Sequence, residues 1–136
     1  MKLTELEPQW IRHEQRIEER EHIVGDHATW RERGCPTEKI TGPVDYHIHV
    51  DTIAEAQGVL FLCPKCFVEN NGNVGTHSII CWQPMIPQAV KPVPGRWTFH
   101  GTGYDDLTLR ANSSSVSVTE GCRAHFFITN GVIIGC

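Results

Sequence analysis

The chain has 136 residues, about the length of one domain, and 40% of them are apolar. Its formal net charge is -4, and its Lys and Arg residues are scattered rather than gathered into a basic stripe, which argues against nucleic-acid binding. No apolar stretch is long enough to cross a bilayer.

The cysteines indicate metal binding rather than disulfide bonding. The start of the chain, Met1 to Glu5, lacks the apolar run of a secretory signal, so we expect a cytoplasmic protein whose thiols stay reduced. Six cysteines in that setting are more typical of metal ligands or buried thiols than of a disulfide framework. Two of them, Cys35 and Cys136, have no evident partner in the sequence.

The first 34 residues differ in composition from the rest of the chain. They are rich in Glu, Gln and Arg, and their apolar residues are sparse. The spacing of Trp10 and Ile17 suits one side of a helix. We therefore predict a helical N-terminal extension over residues 1–34, with a helix at about 9–23 that packs on the body through these two side chains.

The remainder, residues 44–136, has the pattern of an antiparallel β domain. Gly-Cys-Pro at 34–36 and Thr-Gly-Pro at 41–43 predict a loop before it, and a proline-rich surface loop is expected at 84–95. Asn130-Gly131 between two apolar runs predicts a β-hairpin. Strands are predicted at 45–51, 58–62, 77–82, 96–100, 107–109, 115–118, 125–128 and 132–134.

Two short cysteine motifs predict a zinc site. Cys63 and Cys66 form a Cys-x-x-Cys pair directly after an apolar strand, and Cys122 and His125 repeat the two-residue gap before the final hairpin. Three thiolates and one imidazole are the closed ligand set of a structural zinc ion. The predicted fold is thus a single domain, mainly β and sandwich or barrel-like, stapled by a zinc site and preceded by the helix.

Redox chemistry is the other interpretation of Cys63 and Cys66. Thioredoxin-like pairs open a helix in a βαβ setting, and the helix lowers the pKa of the thiol. Here the residues after Cys66 run toward the turn signal Asn70-Asn-Gly-Asn73, which favours metal binding on a tight turn.

Other histidines and carboxylates could form a second, catalytic metal site. His47, His49 and Asp51 alternate along a predicted strand and share one face, although a solvated edge strand has the same pattern. His77 with Asp105 and Asp106 is a further combination for an open site that activates water, with Glu120 as a base. His77 and Cys81 also share a strand face, as a Cys/His nucleophile pair or as part of the core.

Several motifs in order resemble a family of small phage, prophage and bacterial proteins catalogued as a domain of unknown function. They are Leu3–Trp10, the Cys-x-x-Cys pair, Trp97-x-Phe99, Asp106-Leu-Thr-Leu109 and Gly121–Gly131. The resemblance covers the first ten residues and about 58–134, whereas 12–57 has no counterpart. It implies a metal-binding β domain of phage or bacterial origin.

The family supplies no established activity. Some members carry the name ammonia monooxygenase, but such enzymes are membrane copper proteins, and this chain has no spanning segment. The stretch 110–115 also lacks the proline that often follows the Leu-Thr-Leu strand in the family.

Two functions of different class follow from these motifs. The first is a non-enzymatic, zinc-stabilised accessory protein in the cytoplasm of a bacterial host, which acts by binding another protein, with an oligomer as an open alternative. The second is a metal-dependent hydrolase that uses a second His/Asp site.

Overall fold

The computed structural model describes residues 1–135, except for the side chain of Arg33, and it is mainly β, as predicted. Cys136 lies outside the described residues. Two short helices, α1 (His27–Arg33) and α2 (Pro64–Glu69), accompany a 3-10 helix at Leu3–Leu6. The strands are β1 (Gln9–Ile23), β2 (Thr37–His49), β3 (Gly58–Leu62), β4 (Ser78–Trp82), β5 (Thr98–His100), β6 (Thr108–Arg110), β7 (Val116–Ser117), β8 (His125–Thr129) and β9 (Val132–Gly135).

The strands form sheets in the orders β2-β1-β3-β4, β5-β6 and β7-β8-β9. β3 and β4 are antiparallel, with Gly58 opposite Trp82 and Leu62 opposite Ser78. The predicted hairpin is confirmed: β8 and β9 are antiparallel, and Asn130 and Gly131 between them have φ angles of 50° and 70°. Two consecutive left-handed residues are what a tight type I′ turn requires, which explains the Asn-Gly pair.

The chain packs as two compact units, and the first contains Met1–His13 and the chain from Ile48 onward. Its main core joins the 3-10 helix to several strands. Phe61 of β3 and Phe126 of β8 meet edge to face, with ring centroids 6.0 Å apart. Burial of such apolar surface is the main stabilising term, so the β3–β4 pair and the β7-β8-β9 sheet are held together chiefly by this core.

The predicted helix at 9–23 is wrong, because this segment is strand β1. Trp10 belongs to the main core, whereas Ile11 belongs to a second cluster with Trp82. Successive residues of a strand point to opposite faces, so these neighbours can each fill a separate core. Pairing of β1 between β2 and β3 overrides the helix propensity of its Glu, Gln and Arg residues. Ile17, the other predicted helix contact, is 69% exposed.

The second compact unit is residues 14–47. The predicted loop at 34–43 is replaced from Thr37 onward by β2. Side chains join β1 and β2 within this unit: the Tyr46 hydroxyl donates to Glu18 at 2.7 Å, and the Arg16 guanidinium lies 4.7 Å from the Tyr46 ring centroid. The unit is therefore a strand pair with α1 in its connection, not the helical extension predicted for 1–34.

Within the described chain, no helix has the length and apolarity needed to span a membrane.

Arg96 organises the proline-rich segment before β5. Its Nε donates to the carbonyl of Ile86, and its two terminal nitrogens each donate to two further backbone carbonyls. Those four acceptors are Pro87, Val90, Pro92 and Gly95. All five guanidinium N–H groups are thus used on one loop, which a Lys ammonium with three donors on one atom cannot reproduce.

Arg96→Lys should therefore destabilise the fold by about 2 kcal/mol, the scale of losing one or two hydrogen bonds from a charged donor. Urea unfolding of both proteins measures the difference. Arg110→Lys is the matched control, since Arg110 is exposed on β6 and should change stability little. Equal unfolding midpoints for wild type and Arg96→Lys would show that the loop does not depend on the Arg96 hydrogen bonds for its stability.

Candidate metal centre

Cys63 and Cys66 lie at the junction of β3 and α2. Cys63 is the N-cap residue of α2, and Pro64 occupies its first turn, where a missing N–H is tolerated. The Phe67 N–H bonds to the Cys63 carbonyl at 2.9 Å, which winds the chain so that residues three apart share a face. The short helix therefore brings both thiols to one side. The pair does open a helix, contrary to the expected turn, but between antiparallel strands rather than in a βαβ unit.

The β3–β4 register places His77 beside Cys63. The register that pairs Leu62 with Ser78 continues one residue further, where the Cys63 N–H donates to the His77 carbonyl at 2.9 Å. Directly opposed residues of an antiparallel pair have Cα atoms only about 5 Å apart. The histidine that precedes β4 is thus delivered to the end of β3, where the Cys-x-x-Cys pair begins.

Cys122 comes to the same place from the β7–β8 connection. The Val118 N–H donates to the Ala124 carbonyl at 2.8 Å, which closes this connection across its base. Gly121 and Arg123 have φ angles of 68° and 54°, so the chain turns sharply on both sides of Cys122. The Lys65 ammonium of α2 donates to the Cys122 carbonyl at 2.6 Å and ties this connection to the helix.

Cys63, Cys66, His77 and Cys122 form a cluster that could hold a metal ion, with all four ligand atoms within 4.8 Å of one another. The Sγ atoms of Cys63 and Cys122 are 3.7 Å apart, and His77 Nε2 is 3.3 Å from Cys122 Sγ. A tetrahedral zinc ion with ordinary bond lengths sets these separations at about 3.8 Å and about 3.6 Å. The sulfur–sulfur distance rules out a disulfide, whose bond is about 2.0 Å.

The thiols of the cluster differ in acidity. Burial raises the pKa of Cys63, although the amide N–H groups of Cys66 and Lys65 lower it in part. Burial raises the pKa of Cys66 to about 12, assisted by hydrogen bonds with Cys122 and Cys63. Burial would also raise the pKa of Cys122, but hydrogen bonds from His77, the Ala124 amide and the other two thiols lower it to about 7. Cys122 is therefore the thiol most readily ionised, and a cation is needed to ionise all three near neutrality.

The cluster contains three of the four predicted ligands, and His77 stands where His125 was expected. His125 is the first residue of β8 and is exposed, while the adjacent Phe126 is buried in the main core. Alternation along the strand turns these two side chains to opposite faces. His125 instead lies beside Phe127, with ring centroids 6.3 Å apart. The signal that was missed is the antiparallel pairing of β3 with β4, because this pairing places a histidine just before β4 opposite the end of β3.

Of the histidines and carboxylates considered for a second site, His77 belongs to the Cys63 group, which is the one metal-ligand cluster within residues 1–135, and the others join no such cluster. His47, His49 and Asp51 are exposed. Asp106 accepts hydrogen bonds from the N–H groups of Thr102 and Gly103, which lower its pKa and give it a turn-forming role.

Cys81 is fully buried, and burial raises the pKa of its thiol. A buried thiol with a raised pKa is a poor nucleophile, because the thiolate is the reactive form. His77, the predicted partner of Cys81, precedes β4 and is instead engaged with Cys122. Cys81 therefore acts as a core residue.

No match is found when the chain is compared with protein-family models, curated proteins and solved structures. The resemblance to the phage and bacterial family stays a prediction. The identity of the candidate ligands rests on the geometry of the cluster alone.

The fourth ligand is tested by comparing His77→Ala with His125→Ala. Loss of a ligand's outer-shell partner alone costs about 10–100-fold in metal affinity, so His77→Ala should weaken zinc binding by more than about 100-fold. His125→Ala, the matched control at the other candidate position, should leave the affinity unchanged. Competition with a chromophoric chelator measures both. The reverse ranking would restore the predicted set of Cys63, Cys66, Cys122 and His125.

The metal-free chain should lose stability as the pH rises above about 8.5, where unfolded thiols ionise. The raised pKa values of Cys63, Cys66 and Cys81 mean that the fold keeps three thiols protonated that the unfolded chain releases. Cys122 has the opposite sign, because its lowered pKa stabilises the fold above that pH and the contribution fades as the pH falls through about 7. The three thiols with raised pKa values outweigh the single thiol with a lowered one, so the net effect above about pH 8.5 is a loss of stability.

Melting temperatures between about pH 7 and pH 10, with and without a chelator, measure this effect. The zinc-loaded chain should lack the alkaline loss, since its bound thiolates are already deprotonated, and should lose stability on acidification instead. A chelated chain whose melting temperature is flat across this range would contradict the raised pKa values of these three thiols.

Proposed function

We propose that this chain is a non-enzymatic, zinc-stabilised module that acts by binding another protein. The observation that carries the proposal is the closed set of three thiols and one imidazole, all within 4.8 Å. Four protein ligands leave no open coordination position for water or substrate. The metal then stabilises the fold and does no chemistry, and function passes to the protein surface.

Zinc is the metal that suits this ligand set best. Thiolates and imidazole in a tetrahedral arrangement are typical of zinc, and carboxylates, which favour magnesium or calcium, are absent from the cluster. The three thiolates and one Zn²⁺ carry a net charge of -1, and the nearby Lys65 ammonium offsets it. We further propose, from the sequence resemblance, a phage or bacterial accessory protein of the cytoplasm.

The metal is also well placed to stabilise the fold. It would join the end of β3 and α2 to the residue before β4 and to the β7–β8 connection. Cys63 and Cys122 are far apart in sequence, so a shared ion closes a long loop and removes much conformational freedom from the unfolded chain.

The purified chain should contain one zinc per molecule, and Cys122→Ser should lose it together with much of its thermal stability. Elemental mass spectrometry and thermal unfolding measure the two effects. Cys35→Ser is the matched control, because Cys35 is exposed and lies outside the cluster. It should keep both the zinc and the melting temperature of the wild type.

X-ray absorption at the zinc edge distinguishes a closed structural site from an open catalytic one. The expected shell has three sulfur atoms at about 2.3 Å and one nitrogen at about 2.0 Å. An oxygen ligand from water, or zinc retained in full by Cys122→Ser, would sink the proposal and return attention to hydrolysis.

A further inference from the structure

A cleft of about 580 Å³ lies beside the candidate metal centre. One wall is His77–Ile80, which runs into β4, and the other is Ser115–Glu120, which contains β7. Pro92–Gly95, Trp97 and Ser113 complete the lining. The cleft is therefore bounded by two strands that come from different sheets.

Both of these strands are edge strands. β4 is the outer member of the sheet β2-β1-β3-β4, and β7 is an outer member of β7-β8-β9. The outer side of an edge strand presents unpaired backbone N–H and C=O groups, which serve as a template for another extended chain. A cleft between two such edges offers main-chain hydrogen bonds from both walls.

The register identifies which residues of β4 point these groups away from β3. The bond from the Cys63 N–H to the His77 carbonyl shows that the backbone of His77 faces β3. Because the pattern alternates, the N–H and C=O groups of Ser78 and Ile80 face outward. Within the described chain, neither residue makes a backbone hydrogen bond on that side.

At the far end of β4, the outer edge already accepts a main-chain hydrogen bond from another segment of the chain. The Trp82 carbonyl, which the same alternation turns outward, accepts a hydrogen bond from the Trp97 N–H at 3.0 Å. The outer edge of β4 thus accepts one main-chain hydrogen bond at Trp82, whereas in residues 1–135 Ser78 and Ile80 make none on that side.

The opposite wall has the same property. The Val118 N–H bonds to the Ala124 carbonyl, so the backbone of Val118 faces β8. Ser117, one residue away, turns its N–H and C=O outward, and its side chain is exposed. Within residues 1–135, no backbone hydrogen bond occupies these groups.

The charge of the lining selects among extended chains. Glu120 is the one formally charged side chain among the residues that line the cleft, and it lies two residues before the ligand Cys122. The net charge of -1 on a zinc ion with three thiolates would be offset by Lys65, so Glu120 carries the acidic character of this end. A Lys or Arg side chain is the complement to this acidic end.

We infer that the cleft between β4 and β7 binds an extended peptide segment of a partner protein by strand addition, with a basic residue directed at Glu120. The inference rests on the proposed function, because the metal joins His77 on one wall to Cys122 beside the other and thereby holds the two edges in place. The wall at β4 contributes four lining residues, His77–Ile80, so about four residues of the peptide would pair along it.

The test uses short random peptides displayed for selection against the zinc-loaded full chain, with the recovered peptides then synthesised. They should carry Lys or Arg and bind wild type and Ser117→Ala equally. Ser117→Pro removes one outward N–H without touching the β8 pairing and should bind them at least about tenfold more weakly. Glu120→Gln should weaken only the peptides with a basic residue.

A second measurement does not depend on the folding of a variant. N-methylation of alternate peptide amides, in the phase that faces a wall, should lower the affinity at least about tenfold, while methylation in the other phase should not. Equal effects of the two phases, equal binding to Ser117→Pro, or no enriched peptide would overturn the cleft as the binding site. If the wild type self-associates and Ser117→Pro abolishes this, the proposal of a different partner protein is wrong, because a second copy of this chain would fill the cleft.

Zinc content measured on the same samples separates the two proposals. If the samples contain one zinc per chain and Ser117→Pro leaves the peptide affinity unchanged, the cleft is not the binding site, whereas the proposal of a metal-stabilised module still stands. Absence of zinc removes the proposed function, whatever the peptides do.

Discussion

Four candidate ligand atoms, brought together from three segments of the chain, constrain the geometry of one end of the first compact unit. Cys63 and Cys66 come from the β3–α2 junction, His77 from the residue before β4, and Cys122 from the β7–β8 connection. Three thiols gathered this closely repel one another once ionised and are poorly solvated when buried. A bound cation would turn that unfavourable group into a cross-link.

The hydrophobic core and the cluster act on the same pair of elements. Phe61 and Phe126 join β3 to β8 a few residues away from the ligands, and Leu3 and Leu6 are fully buried in the same core. The core brings the strands together without specifying the distance between their edges, because apolar contact is non-directional. The directional bonds of the cluster would supply that distance, and this is why a cleft beside it can keep a defined width.

Strands flanked by clear turn signals were predictable, because alternation of apolar residues and the Asn-Gly dipeptide are local properties. Gly58–Leu62 and the hairpin around Asn130-Gly131 agree with the prediction. β1 was not predictable in this way. Its Glu, Gln and Arg residues have high helix propensity, and the pairing with β2 and β3 that overrides it comes from residues far along the chain.

The sequence by itself determined that the chain is mainly β and that Cys63, Cys66 and Cys122 belong together, since two short motifs with thiol ligands beside predicted strands define most of a zinc ligand set. Only the tertiary structure decided the fourth member. Local spacing favoured His125, but β8 begins at that residue and turns it away from the side that buries Phe126. His77 joins the cluster because the β3–β4 register places it opposite Cys63. Register is a relation between two strands, and no single sequence motif contains it.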